Sequence, residues 1–276
     1  MIESTTSPAL PSVMDANMVA FWSAYGRGKG CTLQQAGDAV WFYTGVPHPL
    51  FNGVPRAILD ADDVHSIIDS LQARIDAQGA PALWWLGPRT KPDDLGPILE
   101  RRGLEPAGEV PGMALDLHSM DSRLPEIAGF SVEKVGNEIQ QASWARVAAI
   151  GNDFPENAVD AMEKVEATLC DSGYRAQHRY MGYLEGKPVA TGALVLDSGV
   201  AGIYAIATIP EARQRGIGRY MTMLPLLEAR RLGCHVAILQ ASSMGYPIYK
   251  RLGFNDVCHY RLYVQRCENT QGDARV

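Results

Sequence analysis

Thr208-Ile209-Pro210-Glu211-Ala212-Arg213-Gln214-Arg215-Gly216-Ile217-Gly218-Arg219-Tyr220 is the most informative stretch of this chain. It reads as a strand end, a short turn and an R-x-x-G-x-G loop that opens a helix. Two glycines two apart let a ligand approach backbone that any Cβ would obstruct. The free amides of a helix start, with the positive end of its dipole, make a seat for phosphate or pyrophosphate. Arg213, Arg215 and Arg219 add positive charge around that seat.

The surrounding chain has 276 residues, enough for one large domain or two ordinary ones. Its 46% hydrophobic and 20% charged content suits a soluble globular protein with a proper core. A net charge of −6 argues against general nucleic-acid binding, which wants a basic face. The arginines at 213–219 are therefore a local cluster, of the kind that meets a small anion. Five scattered cysteines without a C-x-x-C pair fit reduced thiols in a cytoplasm. No apolar run reaches the length of a membrane span, and Met1-Ile2-Glu3-Ser4-Thr5-Thr6 lacks the basic, then apolar, pattern of a signal peptide. The polar tail 268–276 reads as disordered.

Element signals are clearest from Phe130 onward. Apolar spacing predicts helices over 138–150 and 156–170, the second stopping near Asp171-Ser172-Gly173. Strands follow at 178–184, 188–196 and 200–208, joined by the tight turns Glu185-Gly186-Lys187 and Asp197-Ser198-Gly199. Beyond the glycine loop come a helix over 217–232 capped by Gly233, a strand at 235–240, a helix over 246–252 stopped by Gly253, and closing strand at 256–265. Pro225 should kink or break the long helix, although Met221, Leu224 and Leu227 keep helical spacing through it.

With these motifs in order, residues from about 130 to 265 resemble the GNAT superfamily of N-acetyltransferases, which use acetyl-coenzyme A. Thr208, Pro210, Arg213, Gly216 and Gly218 are in register, Ala241-Ser242 follows the next strand, and Ile248-Tyr249-Lys250-Arg251-Leu252-Gly253-Phe254 resembles the family's second motif. A lone R-x-x-G-x-G is weak; joined to Y-x-x-x-G-F with strand-helix-strand between, it is specific.

The first half repeats the second at an offset of about 150 residues. Arg101-Arg102-Gly103-Leu104 resembles Arg251-Leu252-Gly253-Phe254. Ala82-Leu83-Trp84-Trp85 falls near the 235–240 strand, the helix 62–78 near 217–232, and a strand at 113–117 near 260–264. Where the second half has Arg213 to Gly218, the first has Asp63-Val64-His65-Ser66-Ile67-Ile68, without glycine and acidic at its start. Like charge there repels a pyrophosphate. The expected fold class is α/β (α+β), two GNAT-like domains, each a mixed central sheet flanked by helices. Residues 1–120 form the degenerate domain and 126–267 the competent one, with a linker near 118–126.

The resemblance implies that the cofactor pyrophosphate rests on the backbone amides of Gln214, Arg215, Gly216, Ile217 and Gly218, with Arg213 and Arg219 as side-chain partners. It also places the pantetheine arm along Ile206-Ala207-Thr208 like an added strand, where a backbone amide could stabilise the oxyanion. Tyr249 matches the general-acid position and would protonate the leaving sulfur; the bland alternative is an aromatic packing under the last strands. Tyr246, three residues away, is the substitute. The family's usual glutamate on the strand before the loop is absent from Gly202 to Thr208. Asp153, Glu156 or ordered water are the candidate bases, and helix capping by Asp153 or Asn157 is the stronger reading of that turn.

Other motifs carry less. The six histidines lack metal-ligand spacing, so no metal is expected. Cys258 and His259 point to opposite faces of a strand. G-x-G-x-x-G and G-x-S-x-G are absent. Gly26-Arg27-Gly28-Lys29-Gly30 lacks a K-[ST] ending and reads as a flexible turn. Trp84 and Trp85 read as packing residues that could wall a cleft, and His48 and Asn52 as surface-loop residues that could face it. The expected activity is acetyl-coenzyme A-dependent transfer to a primary amine, of a small molecule or a peptide, by direct attack. The protein would be a cytoplasmic monomer or homodimer without membrane or nucleic-acid partners. A non-catalytic acyl-coenzyme A sensor or scaffold is the rival, and transfer of a longer acyl group is a second enzymatic alternative.

Overall fold

The structure is a computed structural model that describes residues 2–60, 64–169 and 177–266. Asp62, Asp63, Cys170, the Asp171-Ser172-Gly173 stop, Cys267 and the tail 268–276 lie outside the described residues. Eleven strands form one mixed sheet, flanked by seven α-helices among the described residues.

The second half follows its sequence signals closely. Strands β6 (Phe130–Lys134), β7 (Gln177–Leu184), β8 (Lys187–Asp197) and β9 (Val200–Thr208) make an antiparallel meander. Helices α4 (Glu138–Gly151) and α5 (Glu156–Leu169) cover one face. The side chain of Asn137 caps α4 by accepting from the Gln140 amide at 2.9 Å, and the Gln140 side chain accepts from the Gly136 amide at 2.8 Å. Helix α6 (Ile217–Arg231) covers the other face and runs on through Pro225 without the break its sequence suggested. Strand alternation assigns the two cores. Ala193 and Val195 pack with Trp144 and Met162 on the α4–α5 side, while Leu194 packs with Met221 and Leu226 on the α6 side. Strand β10 (Val236–Gln240), helix α7 (Tyr246–Leu252) and strand β11 (Asn255–Gln265) complete this half.

The first half supplies α1 (Leu10–Ser23), β1 (Thr32–Ala36), β2 (Ala39–Tyr43), β3 (Asn52–Arg56), α2 (Val64–Gln78), β4 (Ala82–Leu86), α3 (Leu95–Arg101) and β5 (Glu105–Asp116). Strand β5 is longer than the 113–117 segment expected, because pairing with β11 carries it through Pro106, Gly108 and Pro111, which give no strand signal. The repeat is visible in the backbone. Gly103 and Gly253, both at positive φ, end α3 and α7. The following amides, of Leu104 and Phe254, reach back five residues to the carbonyls of Leu99 and Tyr249.

Strand order is β1-β2-β3-β4-β11-β5-β10-β9-β8-β7-β6. The last strand of each half therefore lies beside the other half's inner strand: β11 against β4, and β5 against β10. Segments 1–120 and 126–267 share one unbroken sheet, so neither completes its sheet alone. No described helix is long and apolar enough to cross a membrane.

Candidate active site

Parallel pairing of β9 with β10 covers only Ala201↔Ala237 and Gly202↔Ile238. Beyond it the strands part, leaving the edge of β9 from Ile203 to Thr208 without a β10 partner. A bulge sharpens the turn: β9 carries an extra residue opposite the Thr191–Ala193 step of β8, and Ala205 sits at φ 49°. The Thr191 hydroxyl holds it by donating to the Ala205 carbonyl at 2.8 Å.

A cleft of about 710 Å³ opens along this edge. All the sequence-derived cofactor residues line it except Arg215: Ile206, Ala207 and Thr208 on the strand, then Arg213, Gln214, Gly216, Ile217, Gly218 and Arg219 at the helix start. Gln214 (φ 64°) and Gly216 (φ 81°) take left-handed backbone conformations, which curl the loop and deliver the chain to the first turn of α6. Gly218 has no such conformational need. A Cβ there would meet only the Ile248 Cδ1 at 3.9 Å and the Thr208 Oγ1 at 4.0 Å, so no protein atom requires the glycine. The open space beside it is what a ligand pressed on backbone amides would use.

The arginines divide their work. Arg213 donates through Nε to the Thr208 carbonyl at 3.1 Å and through Nη2 to the Gly151 carbonyl at 3.0 Å and both Asp153 oxygens at 3.1 and 3.2 Å. It ties the loop to the end of α4. Arg215 is exposed, and Arg219 and Arg251 face the cleft.

Tyr249 stands at the far end of the cleft, nearly buried, its phenol pushed up to about 12 by burial. A Cβ at Gly245 would fall 2.7 Å from the Tyr249 ring, so that glycine is what lets the ring lie down. Its hydroxyl makes no hydrogen bond among the described residues. Tyr246 instead turns outward, donating to Asp256 at 2.9 Å. Asp153 and Glu156 line neither this cleft nor the pocket behind it. The capping reading holds for Glu156, which sits in the first turn of α5, but not for Asp153, which takes φ 58° and pairs with Arg213 instead.

At Asn152, Ile206, Ser242 and Tyr249 the cleft meets a second cavity of about 170 Å³. Both halves build it. Phe21, Trp22, Tyr25, Phe51 and Trp85 come from the first half, and Phe154, Met162 and Tyr204 from the second. Sequence reasoning gave Asn152, Ser242, Gln240 and Arg251 no role; the Ala241-Ser242 and Tyr249-to-Phe254 motifs were the only pointers to two of them. His48 and Asn52 are corrected from surface positions to buried ones. Asn52 accepts from the Thr44 and Gly45 amides and donates to the Val46, His48 and Pro81 carbonyls. His48 stacks on Phe154 at 4.0 Å, its imidazole pushed down to about 4 by burial. Gly26 is likewise packed rather than flexible: its Cβ would sit 2.7 Å from the Thr32 carbonyl oxygen. Trp84 is core, whereas Trp85 walls the second cavity. Among the described residues no group of three or more His, Cys, Asp or Glu side chains is placed to hold a metal ion.

Residues 144–254, which contain the loop, α6 and Tyr249, match the family model described as Acetyltransferase (GNAT) family. This segment is a GNAT acetyltransferase domain. GNAT folds recur among solved structures over nearly the whole chain. A GCN5-related N-acetyltransferase from Kribbella flavida superposes with a TM-score of 0.63 at 18% identity, covering 91% of this chain and 95% of its own. A tandem GNAT protein from the clavulanic acid biosynthesis pathway gives 0.60 at 11% identity, covering 96% and 97%. A conserved protein of unknown function from Staphylococcus epidermidis gives 0.61 at 12% identity, covering 85% and 93%. At such identities the likeness is one of fold. No curated protein matches this chain by sequence.

Proposed function

We propose that the chain is an acetyl-coenzyme A-dependent N-acetyltransferase, with residues 126–267 carrying cofactor and chemistry and residues 1–120 closing the acceptor side. The observation that carries this reading is one continuous cleft with three parts in order. A glycine-lined helix start lies at one end, an unpaired strand edge runs along the middle, and a buried phenol stands where the cleft meets an aromatic pocket.

The residues fit the cofactor. Amides of Gln214 to Gly218, with Arg219 beside them, suit a pyrophosphate. The free edge of Ile206-Ala207-Thr208 suits an extended amide chain that adds as a strand. Bound there, acetyl-coenzyme A supplies a thioester-activated acetyl group.

Transfer to an amine forms a C–N bond and breaks a C–S bond, so one proton leaves nitrogen and one reaches sulfur. Tyr249 keeps its proton throughout the physiological range and is the group set to give it up. Among the described residues no carboxylate lines either cavity, so we assign the amine's proton to water at the Asn152–Ser242 junction. Arg213 acts by holding the loop to Gly151 and Asp153.

Calorimetric titration with acetyl-coenzyme A, together with thiol release across a panel of primary amines, tests the reading. Saturable binding and amine-dependent thiol release are expected. Binding with no release from any amine would leave a sensor or scaffold instead.

A further inference from the structure

The second cavity has a composition that selects a substrate. Among the described residues none of its lining side chains is charged. Aromatic rings dominate it, and the polar ends of two of its tyrosines are turned away. Tyr204 donates its hydroxyl to the Asn17 Oδ1 at 2.8 Å while its ring stacks on Phe21 at 4.2 Å. Tyr25 directs its hydroxyl to Glu166, which lies buried behind the pocket against Arg179 and Gln141. That carboxylate is neutralised by the Arg179 guanidinium, itself 4.5 Å from the Trp144 ring. Ring faces make up much of what the pocket presents, beside the polar side chains of Asn152, Gln240 and Ser242.

Size sets the next limit. The cavity holds about 170 Å³, close to the roughly 150 Å³ apolar cavity that accepts one benzene ring. At the mouth Asn152, Ser242 and Tyr249 border the cofactor cleft. Gln240, also in the lining, has a buried Nε2 with no hydrogen-bond partner among the described residues. A substrate in this space must carry one ring-sized apolar body inward and its reacting nitrogen outward.

We infer that the acceptor is a small primary amine on a short chain bearing one aromatic or similarly sized apolar ring and no carboxylate, an assignment that rests on the acetyl-transfer reading for its chemistry. With no cationic side chain in the lining, a substrate carboxylate is left unpaired in an apolar site. With no anionic one, a second ammonium is left equally unpaired, which disfavours polyamines. The same neutrality accounts for the missing base. Desolvation disfavours an ammonium against its free amine, so the pocket itself yields the nucleophile. The amine lone pair forms the C–N bond to the acetyl carbon of acetyl-coenzyme A as the C–S bond breaks. The surplus amine proton leaves through water, and the sulfur takes the Tyr249 proton, which solvent restores.

The full chain is tested with 2-phenylethylamine, n-butylamine, phenylalanine and spermidine as acceptors, read by thiol release. Burying the ring favours 2-phenylethylamine over n-butylamine by about 10- to 100-fold in kcat/KM, and by at least as much over phenylalanine and spermidine. Preference for either of the latter overturns the inference. An activity-independent arm follows tryptophan fluorescence, to which Trp22 and Trp85 contribute, on titration with benzyl alcohol and tetramethylammonium. Saturable quenching by benzyl alcohol, lost in Ala148→Leu, supports the apolar pocket even if no amine is acetylated, in which case the transfer reading alone fails. Tighter binding of tetramethylammonium would make the site a cation cage and overturn the proposal, as would no response to either probe. Leu50→Arg, at a partly exposed wall position, should raise the ratio of phenylalanine to phenylethylamine turnover at least 10-fold. An unchanged ratio in the folded variant counts against the pocket as the acceptor site.

Discussion

Strands β3 and β4 pair in parallel at Gly53↔Leu83 and Val54↔Trp84 and then part, as β9 and β10 do after Gly202↔Ile238. The two openings occupy equivalent places in the two halves, yet the chain treats them oppositely. In the first half, the segment leaving β4 folds back into the gap. Lys91 donates its amide to the Ala57 carbonyl and accepts from the Leu59 amide, both at 3.1 Å, making an isolated parallel bridge with Ile58. In the second half, the segment leaving β10 goes the other way: Ala241 donates to the Pro111 carbonyl of β5. One strand edge is satisfied by the chain's own backbone, and the other is left open as a cleft. Leu99 stands where the second half has Tyr249, so the filled side lacks the phenol as well. The difference between the two openings is a matter of occupied hydrogen bonds as much as of missing glycines.

The largest expected effect tests the open side. Gly216→Glu puts a side chain at φ 81° and a carboxylate at the anion seat and should weaken acetyl-coenzyme A binding more than about 100-fold by calorimetry. The wild-type titration should give one site per chain; a stoichiometry of two would break the comparison, because the Lys91 bridge fills the other opening.

Tyr249→Phe should lower kcat by about 10- to 100-fold, the lower end of the range for general acid catalysis, while the cofactor Kd changes less than about twofold. Because burial pushes the phenol up to about 12, wild-type activity should lose its acid only at that alkaline extreme. An alkaline limb near pH 8 that Tyr249→Phe abolishes would contradict this.

Gly218→Ala separates ligand from fold. Alanine suits a helix better than glycine by roughly 1 kcal/mol, and its Cβ meets no protein atom closer than 3.9 Å. The apo variant should melt at the wild-type temperature or above, yet bind the cofactor about 10-fold more weakly. A destabilised apo protein would mean that the glycine serves the fold.

A last effect concerns the filled side. Asp15 on α1 is buried with Oδ2 unpaired, and desolvation raises its carboxyl to about 6, opposed by Arg89 and Arg56. A Cβ on Gly87, where the bridging segment starts, would lie 2.7 Å from its Oδ1. A carboxyl raised in the folded state contributes fully below its ordinary value near 4 and loses that contribution as pH rises through 6. Asp15→Asn should therefore stabilise the protein at pH 8, by on the order of 2–3 kcal/mol at most, and much less at pH 4. Thermal melts at the two values check this, and an equal effect at both would refute it.

Most of the second half was legible because its signals are local. Gly253 and the 3.6-residue apolar spacing mark α7 at the bounds expected, and Val200–Thr208 was bounded by a turn and a proline. Helix α1 gave no such signal, because it packs against strands β2, β3, β8, β9 and β11 and is buried on more than one face. Pro106 and Gly108 hid the first part of β5, whose strand conformation comes from neighbours far away in sequence. The bulge at Ala205, the Gly245–Tyr249 contact and the burial of His48 and Asn52 are likewise long-range or conformational facts with no motif of their own.

Sequence order fixed what local chemistry can fix. The glycines and arginines of 213–219, the phenol of Tyr249 and the acidic, glycine-free stretch at 60–68 are properties of neighbouring residues, which act within one helical turn. Which strand edge stays open, that β5 and β11 exchange places, and that residues from α1, β4 and α5 meet as one uncharged pocket are set by the packed sheet. Those outcomes depend on contacts between segments more than a hundred residues apart, and only the folded chain brings them within bonding distance.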